Sequence, residues 1–173
     1  MARILMVIAP KNFRDEEYFT PKTILETAGH EITTGSKVLD EIRSTQGKAT
    51  QSTVRAGDET PYDYGAIIFV GGPGMNELVD DFDFTNVAKR FAEAGKLIAA
   101  ICVAPAILAN AGILQNKKAT SWEGAKNTLE EKGANYTGES ITIDGNIITA
   151  IGPEAAEEFA HAIVDHLKKD VGS

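Results

Sequence analysis

The chain carries one cysteine, Cys102, set between the apolar run Leu97-Ile98-Ala99-Ala100-Ile101 and the segment Val103-Ala104-Pro105. A buried apolar run followed by small residues and a proline reads as strand, tight turn and helix. A side chain on such a turn is presented at the carboxyl edge of a parallel sheet. Backbone N–H groups left unpaired there, together with the positive end of the following helix, favour a thiolate and predict a pKa below the ordinary value of about 8.5. That chemistry is nucleophilic attack on an electrophile, or oxidation of the sulfur. A lone cysteine is also commonly a small buried hydrophobe, so its place on the turn is what singles this one out.

A second turn, Gly71-Gly72-Pro73-Gly74, follows the apolar run Ala66-Ile67-Ile68-Phe69-Val70. Its glycines allow close backbone approach and leave N–H groups free to receive an oxyanion beside the cysteine. The spacing is not that of a dinucleotide or phosphate loop. A third segment, Asn12-Phe13-Arg14-Asp15-Glu16-Glu17, follows the run Ile4 to Ala9 and opens a helix, where carboxylates complement the helix dipole. If all three turns end at one sheet edge, one of these carboxyl groups meets the thiol. Two like charges in contact cannot both ionise cheaply, so the expectation is a protonated carboxyl donating a hydrogen bond to the thiolate.

The elements that must position these groups are legible as alternation. Continuous apolar runs mark strands covered on both faces. Segments of helical spacing lie between them, Glu16 to Ala28, Phe84 to Ala94, Pro105 to Ala111 and Gly124 to Lys132, each followed by glycine. The pattern predicts an α/β domain with a mainly parallel sheet. The polar, alternating stretch from Thr33 to Thr53 reads as short strands near the surface. Ser140 to Thr149 reads as a hairpin turning at Asp144-Gly145, and a last helix runs from about Pro153 to Lys169.

With 173 residues the chain fits one domain, 1–173. A net charge of -8 opposes binding to nucleic acid or to an anionic membrane. No apolar run reaches the roughly 18 residues of a membrane span. One cysteine excludes an intrachain disulfide and points to a reducing compartment such as the cytoplasm. His30, His161 and His166 lie outside the motifs and read as surface residues, and with no ligand cluster at metal spacing the expectation is no metal. Trp122 reads as a pocket wall or core residue.

The segments Phe13 to Pro21, Val70 to Gly74, Ala100 to Pro105 and Asp144 to Pro153, in this order and over nearly the whole chain, resemble the DJ-one/PfpI superfamily. The resemblance implies a flavodoxin-like three-layer sandwich (class I glutamine amidotransferase-like), a homodimer, no cofactor, and a reactive cysteine on a nucleophile elbow. It places the nucleophile at Cys102, its carboxyl partner at Glu17, and the oxyanion N–H groups at Gly72 and Val103, with Gly71 and Trp122 beside the pocket. In protease-like members histidine follows the cysteine, whereas here it is Val103, which accepts no proton. Members of the human DJ-one and YajL type, closer around the cysteine, have a further histidine at about the position of Trp122.

The implied function is a cofactor-independent cysteine enzyme acting on small-molecule reactive carbonyls, a glyoxalase or deglycase. The alternatives are an oxidative-stress sensor or chaperone working through oxidation of Cys102, and an intracellular cysteine peptidase. A partner subunit's contribution, with Glu77 as a candidate, belongs to the last of these.

Overall fold

The computed structural model describes residues 1–171, with side chains to residue 169. In chain order the strands are β1 (Arg3–Val7), β2 (Glu31–Ser36), β3 (Glu41–Arg43), β4 (Ala49–Gln51), β5 (Val54–Arg55), β6 (Ala66–Phe69), β7 (Leu97–Ile101), β8 (Lys118–Ala119), β9 (Asn135–Tyr136), β10 (Ile141–Asp144) and β11 (Ile147–Ala150). The helices are α1 (Asp15–Thr27), α2 (Phe82–Glu93), α3 (Pro105–Asn110), α4 (Lys126–Glu131) and α5 (Ala156–Val171). Seven strands form one sheet in the order β10-β11-β7-β6-β1-β2-β5, with every neighbouring pair parallel except β10 and β11.

Strand alternation divides the core into two layers. Leu5 and Val7 of β1, with Ile67, Phe69, Ile98 and Ala100, pack beneath α2, α3 and α4. Ile4, Met6, Ile68, Ala99, Ile101 and Ile148 point the other way, against Tyr18 and Leu25 of α1 and Phe159, Ile163 and Leu167 of α5. Successive side chains thus find hydrocarbon on both faces, which is why the runs are apolar throughout rather than alternating. The result is the expected three-layer sandwich with a mainly parallel sheet.

The stretch from Thr33 to Thr53 departs from expectation. Its first part belongs to β2, an inner strand between β1 and β5, and Thr33, Thr34 and Ser36 are buried. Polar side chains are tolerated here because they find partners: the Tyr18 hydroxyl meets Thr34 Oγ1 at 2.6 Å and Thr50 Oγ1 at 2.9 Å. Only β3 and β4 form a separate surface hairpin. The helix expected over Gly124 to Lys132 divides into a 3-10 turn, Glu123–Ala125, and the short α4. A 3-10 turn at Pro153–Ala155 likewise precedes α5. Two histidines expected at the surface are half-buried and engaged, His30 accepting the Ala2 N–H at 2.9 Å and His166 lying 3.1 Å from the Gly145 carbonyl.

Asp15 does more than complement the dipole of α1. Its carboxylate accepts Ser44 Oγ–H at 2.6 Å, Thr45 Oγ1–H at 3.1 Å and the Gln46 N–H at 3.3 Å, fastening the β3–β4 turn to the start of the helix. Burial alone would push its pKa up, but the bonds from Ser44, Thr45 and Gln46 outweigh burial and hold it below its ordinary 3.8. Asp15→Asn is therefore expected to cost roughly 1–2 kcal/mol in denaturant melts near pH 7. Because the folded carboxyl binds its proton more weakly than the unfolded one, this stability is present above 3.8 and is lost as the pH falls through the lowered folded value. The gap between wild type and variant should close in acid; a gap that persists unchanged there would contradict the assignment.

Candidate active site

Cys102 follows β7 directly and holds φ at +65°, in the left-handed region that a side chain occupies only under constraint. The constraint is visible on both sides. The Cys102 N–H donates to the Ala150 carbonyl at 3.0 Å, and its carbonyl accepts the Trp122 N–H at 2.7 Å. A strained nucleophile elbow is thereby pinned between β11 and the segment after β8.

Three turns converge on this residue. The Arg14 N–H donates to the Gly71 carbonyl at 3.2 Å, tying the loop after β1 to the glycine turn after β6. The Gly71 N–H in turn donates to Glu17 Oε1 at 3.0 Å. A Cβ on Gly71 would stand 2.6 Å from Glu17 Oε1 and 2.8 Å from Cys102 Cβ, so glycine is what lets the carboxyl and the cysteine close around one backbone point. Gly72 holds φ at +116°, and a Cβ there would meet Arg14 N at 2.6 Å and Asn12 O at 2.8 Å. Gly72→Ala is expected to destabilise the fold by roughly 2–4 kcal/mol, read as a lowered unfolding midpoint, since it adds both dihedral strain and a backbone clash.

Glu17 has no solvent exposure, and its Oε2 has no partner of ordinary hydrogen-bond geometry. Burial pushes its pKa from 4.5 up to about 7, against the lowering effects of the Gly71 N–H, the Arg14 charge and the Cys102 contact. Cys102 is also pushed up, to about 12, first by burial and then by the Glu17 charge, although the Val103 N–H and Arg14 act in the opposite sense. The raised Glu17 value runs in the direction of the expected protonated acid, whereas on the thiol burial and the adjacent carboxyl act against the amide dipoles, so the two groups titrate as one pair. Between about pH 7 and 12 the pair holds one proton and one negative charge. A buried carboxylate placed to collect a thiol proton is a general base.

The cavity over the elbow has a volume of about 420 Å³. Cys102, Gly72, Val103 and Trp122 line it together with Arg14, Asn76 and Glu123, and Ile151 to Glu154 close one side. Neither Gly72 N–H nor Val103 N–H has a backbone acceptor among the described residues, and Val103 N–H is directed at the sulfur. Trp122 is a wall rather than core, 48% exposed, with its ring covering Gly124. Gly71, expected beside the pocket, is buried and not among the lining residues, and it contributes through its hydrogen bonds to Glu17 and Arg14. Glu77 is exposed and outside the lining, and none of the three histidines faces the cavity.

Arg14 was missed as a site residue, although the sequence carries a signal for it. It occupies the N-cap of α1, a position suited to Ser, Thr, Asp or Asn and electrostatically poor for a cation. Glu123, Glu154 and Asn76 gave no signal, because their approach depends on how separate loops pack.

A family model described as the DJ-1/PfpI family matches residues 2–166. An uncharacterised protein of Methanocaldococcus jannaschii is 37% identical over 172 residues, covering 98% of this chain and 84% of that protein. Among solved structures, a ThiJ/PfpI domain protein from Brachyspira murdochii superposes with a TM-score of 0.94 at 33% identity, covering 96% of each chain. Drosophila melanogaster DJ-1beta gives 0.84 at 26% identity, covering 96% of this chain and 91% of that one.

Proposed function

This chain belongs to the DJ-1/PfpI family, and from that premise we propose that it is a cofactor-independent cysteine enzyme acting on small reactive carbonyls, of the glyoxalase or deglycase type. One observation carries the reading. A buried carboxyl with a proton affinity near neutrality sits against the chain's sole thiol, and that thiol opens onto a cavity with room for a three-carbon carbonyl. Glu17 and Cys102 are the proposed catalytic residues, with Gly72 and Val103 N–H groups as the oxyanion donors.

With methylglyoxal, Cys102 Sγ adds to the aldehyde carbon as its proton passes to Glu17 and the carbonyl electron pair moves to oxygen; Glu17 then hands that proton to the oxygen, giving a hemithioacetal and restoring the carboxylate. The developing oxyanion is held by the two N–H groups. Glu17 then removes the proton from the former aldehyde carbon and returns one to the neighbouring carbon, leaving a lactoyl thioester. Water cleaves the thioester, releasing lactate and restoring the thiol. Carbinol adducts on amines or thiols join the same sequence when Cys102 Sγ replaces the adduct's amine or thiol, which leaves with the cysteine's proton delivered by Glu17. The peptidase reading lacks the histidine of protease-like members, since Val103 follows the cysteine and no histidine is among the residues that line the cavity. The working assembly we propose is a homodimer, and the setting a reducing cytoplasm in which a lone thiol stays free.

The test is methylglyoxal turnover without glutathione, with lactate measured directly. Lactate production above buffer by the wild-type protein supports the enzyme. Absence of turnover, with rapid accumulation of a Cys102 sulfinate under mild peroxide, would replace it with the sensor.

A further inference from the structure

Arg14 lines the cavity together with Cys102 and is half-buried, and its Nε is shielded from solvent with no hydrogen-bond partner. No ion pair among the described residues engages it. Its charge reaches both reacting groups, lowering the pKa of Glu17 and of Cys102 against the larger effect of burial. The backbone of the same residue is fixed by its N–H to the Gly71 carbonyl, and the side chain makes no cap bond to α1. An unpaired cation, partly desolvated at the positive end of a helix, is unfavourable for folding on each of these counts. Its planar fork of donors is suited to a carboxylate.

Glu123 and Glu154 also line the cavity, but both are exposed to solvent, where charge is screened, and neither pairs with Arg14.

We propose that Arg14 is a carboxylate-recognition residue, so that the site prefers carbonyl substrates bearing a carboxylate next to the reacting carbon over neutral carbonyls of the same size. The substrate class rests on the cysteine–carbonyl reading above, whereas the anion preference stands on the cavity alone. With the carboxylate on the Arg14 fork, the adjacent carbonyl carbon faces Sγ. The S–C bond forms as the carbonyl pair moves to oxygen, and the thiol proton passes to Glu17.

The preference is measured without any turnover by alkylating Cys102 with iodoacetate and with iodoacetamide, which match in size and differ in charge. In both, sulfur displaces iodide, which leaves with the C–I electron pair, and the thiol proton goes to Glu17 or solvent. Dividing one rate by the other cancels the thiolate fraction, which Arg14 also influences. The iodoacetate-to-iodoacetamide ratio should exceed that of 2-mercaptoethanol by about tenfold, despite the protein's net charge of -8. Arg14→Gln should bring it to the 2-mercaptoethanol value or below, with Arg14→Lys retaining part of the excess.

A wild-type ratio no higher than that of 2-mercaptoethanol overturns the proposal by itself, whether or not the variants fold. So does an excess that survives Arg14→Gln. A strong preference in a protein that makes no lactate from methylglyoxal would leave the anion site standing and remove the glyoxalase reading. Turnover without preference would do the reverse.

Discussion

Glu17→Gln is expected to make the protein more stable and far less active. The stability half follows from linkage. Folding raises the Glu17 pKa from 4.5 to about 7, so between those values the native state binds more protons than the unfolded chain, and stability falls as the pH rises. Above pH 7 the native state carries the full cost of burying the charge, on the order of 3 kcal/mol. Glutamine keeps an oxygen for the Gly71 N–H and carries no charge, though its amide must also be buried. A gain of roughly 1–3 kcal/mol at pH 8 is expected, several degrees in unfolding midpoint. At pH 4, where Glu17 is protonated when folded, the gain should largely disappear.

The activity half follows from the same proton. In wild type, turnover should rise as the pH passes about 7, where the pair gains the charge that lets Glu17 act as a base. The glutamine variant should lose that limb and fall by about 10²–10⁴-fold. A variant that is stabilised but retains turnover within tenfold of wild type would show that Glu17 is a buried acid without a catalytic role. Opposite movements of stability and rate are the signature of a group held against folding for the sake of chemistry.

Cys102→Ala should abolish lactate formation to the level of buffer. Around the cavity no other lining residue offers a competent nucleophile: Arg14, Asn76, Trp122 and the glycines and prolines cannot form the thioester, and Glu123 and Glu154 are exposed carboxylates. Residual turnover of more than about a thousandth of wild type would exclude a covalent route through sulfur. Alanine retains the +65° dihedral and gives up the side chain, so it should fold without relief of strain. Cys102→Gly should be equally inactive but more stable than the alanine variant by about 1 kcal/mol, because glycine adopts that dihedral at little cost. Equal unfolding midpoints for the two would mean that the elbow is not strained.

Much of the architecture is legible in the chain because it depends on neighbours in sequence. Hydrocarbon at every position of Ile4 to Ala9, Ala66 to Val70 and Leu97 to Ile101 requires cover on both faces. Glycine after each helical segment stops it, and the Asp144-Gly145 turn sets the terminal hairpin. The elbow at Cys102 was legible for the same reason: a nucleophile between a buried run and Val103-Ala104-Pro105 is a local pattern. The inner position of β2 was not, because its buried threonines look like surface residues until Tyr18 arrives from α1 to bond Thr34.

Residue order along the chain suffices for the layered α/β frame, the turn that bears the sulfur and the acidic segment from which its partner comes. The enclosure that raises the proton affinity of that pair, and the surroundings of Arg14, came only with the fold. Local dipoles around Cys102 argue for an ionised thiol. The burial that overrules them arises only when Gly71 draws Glu17 against Cys102 across segments more than thirty residues apart. Desolvation and unpaired charge are properties of an enclosure, and an enclosure exists only after the chain has closed upon itself.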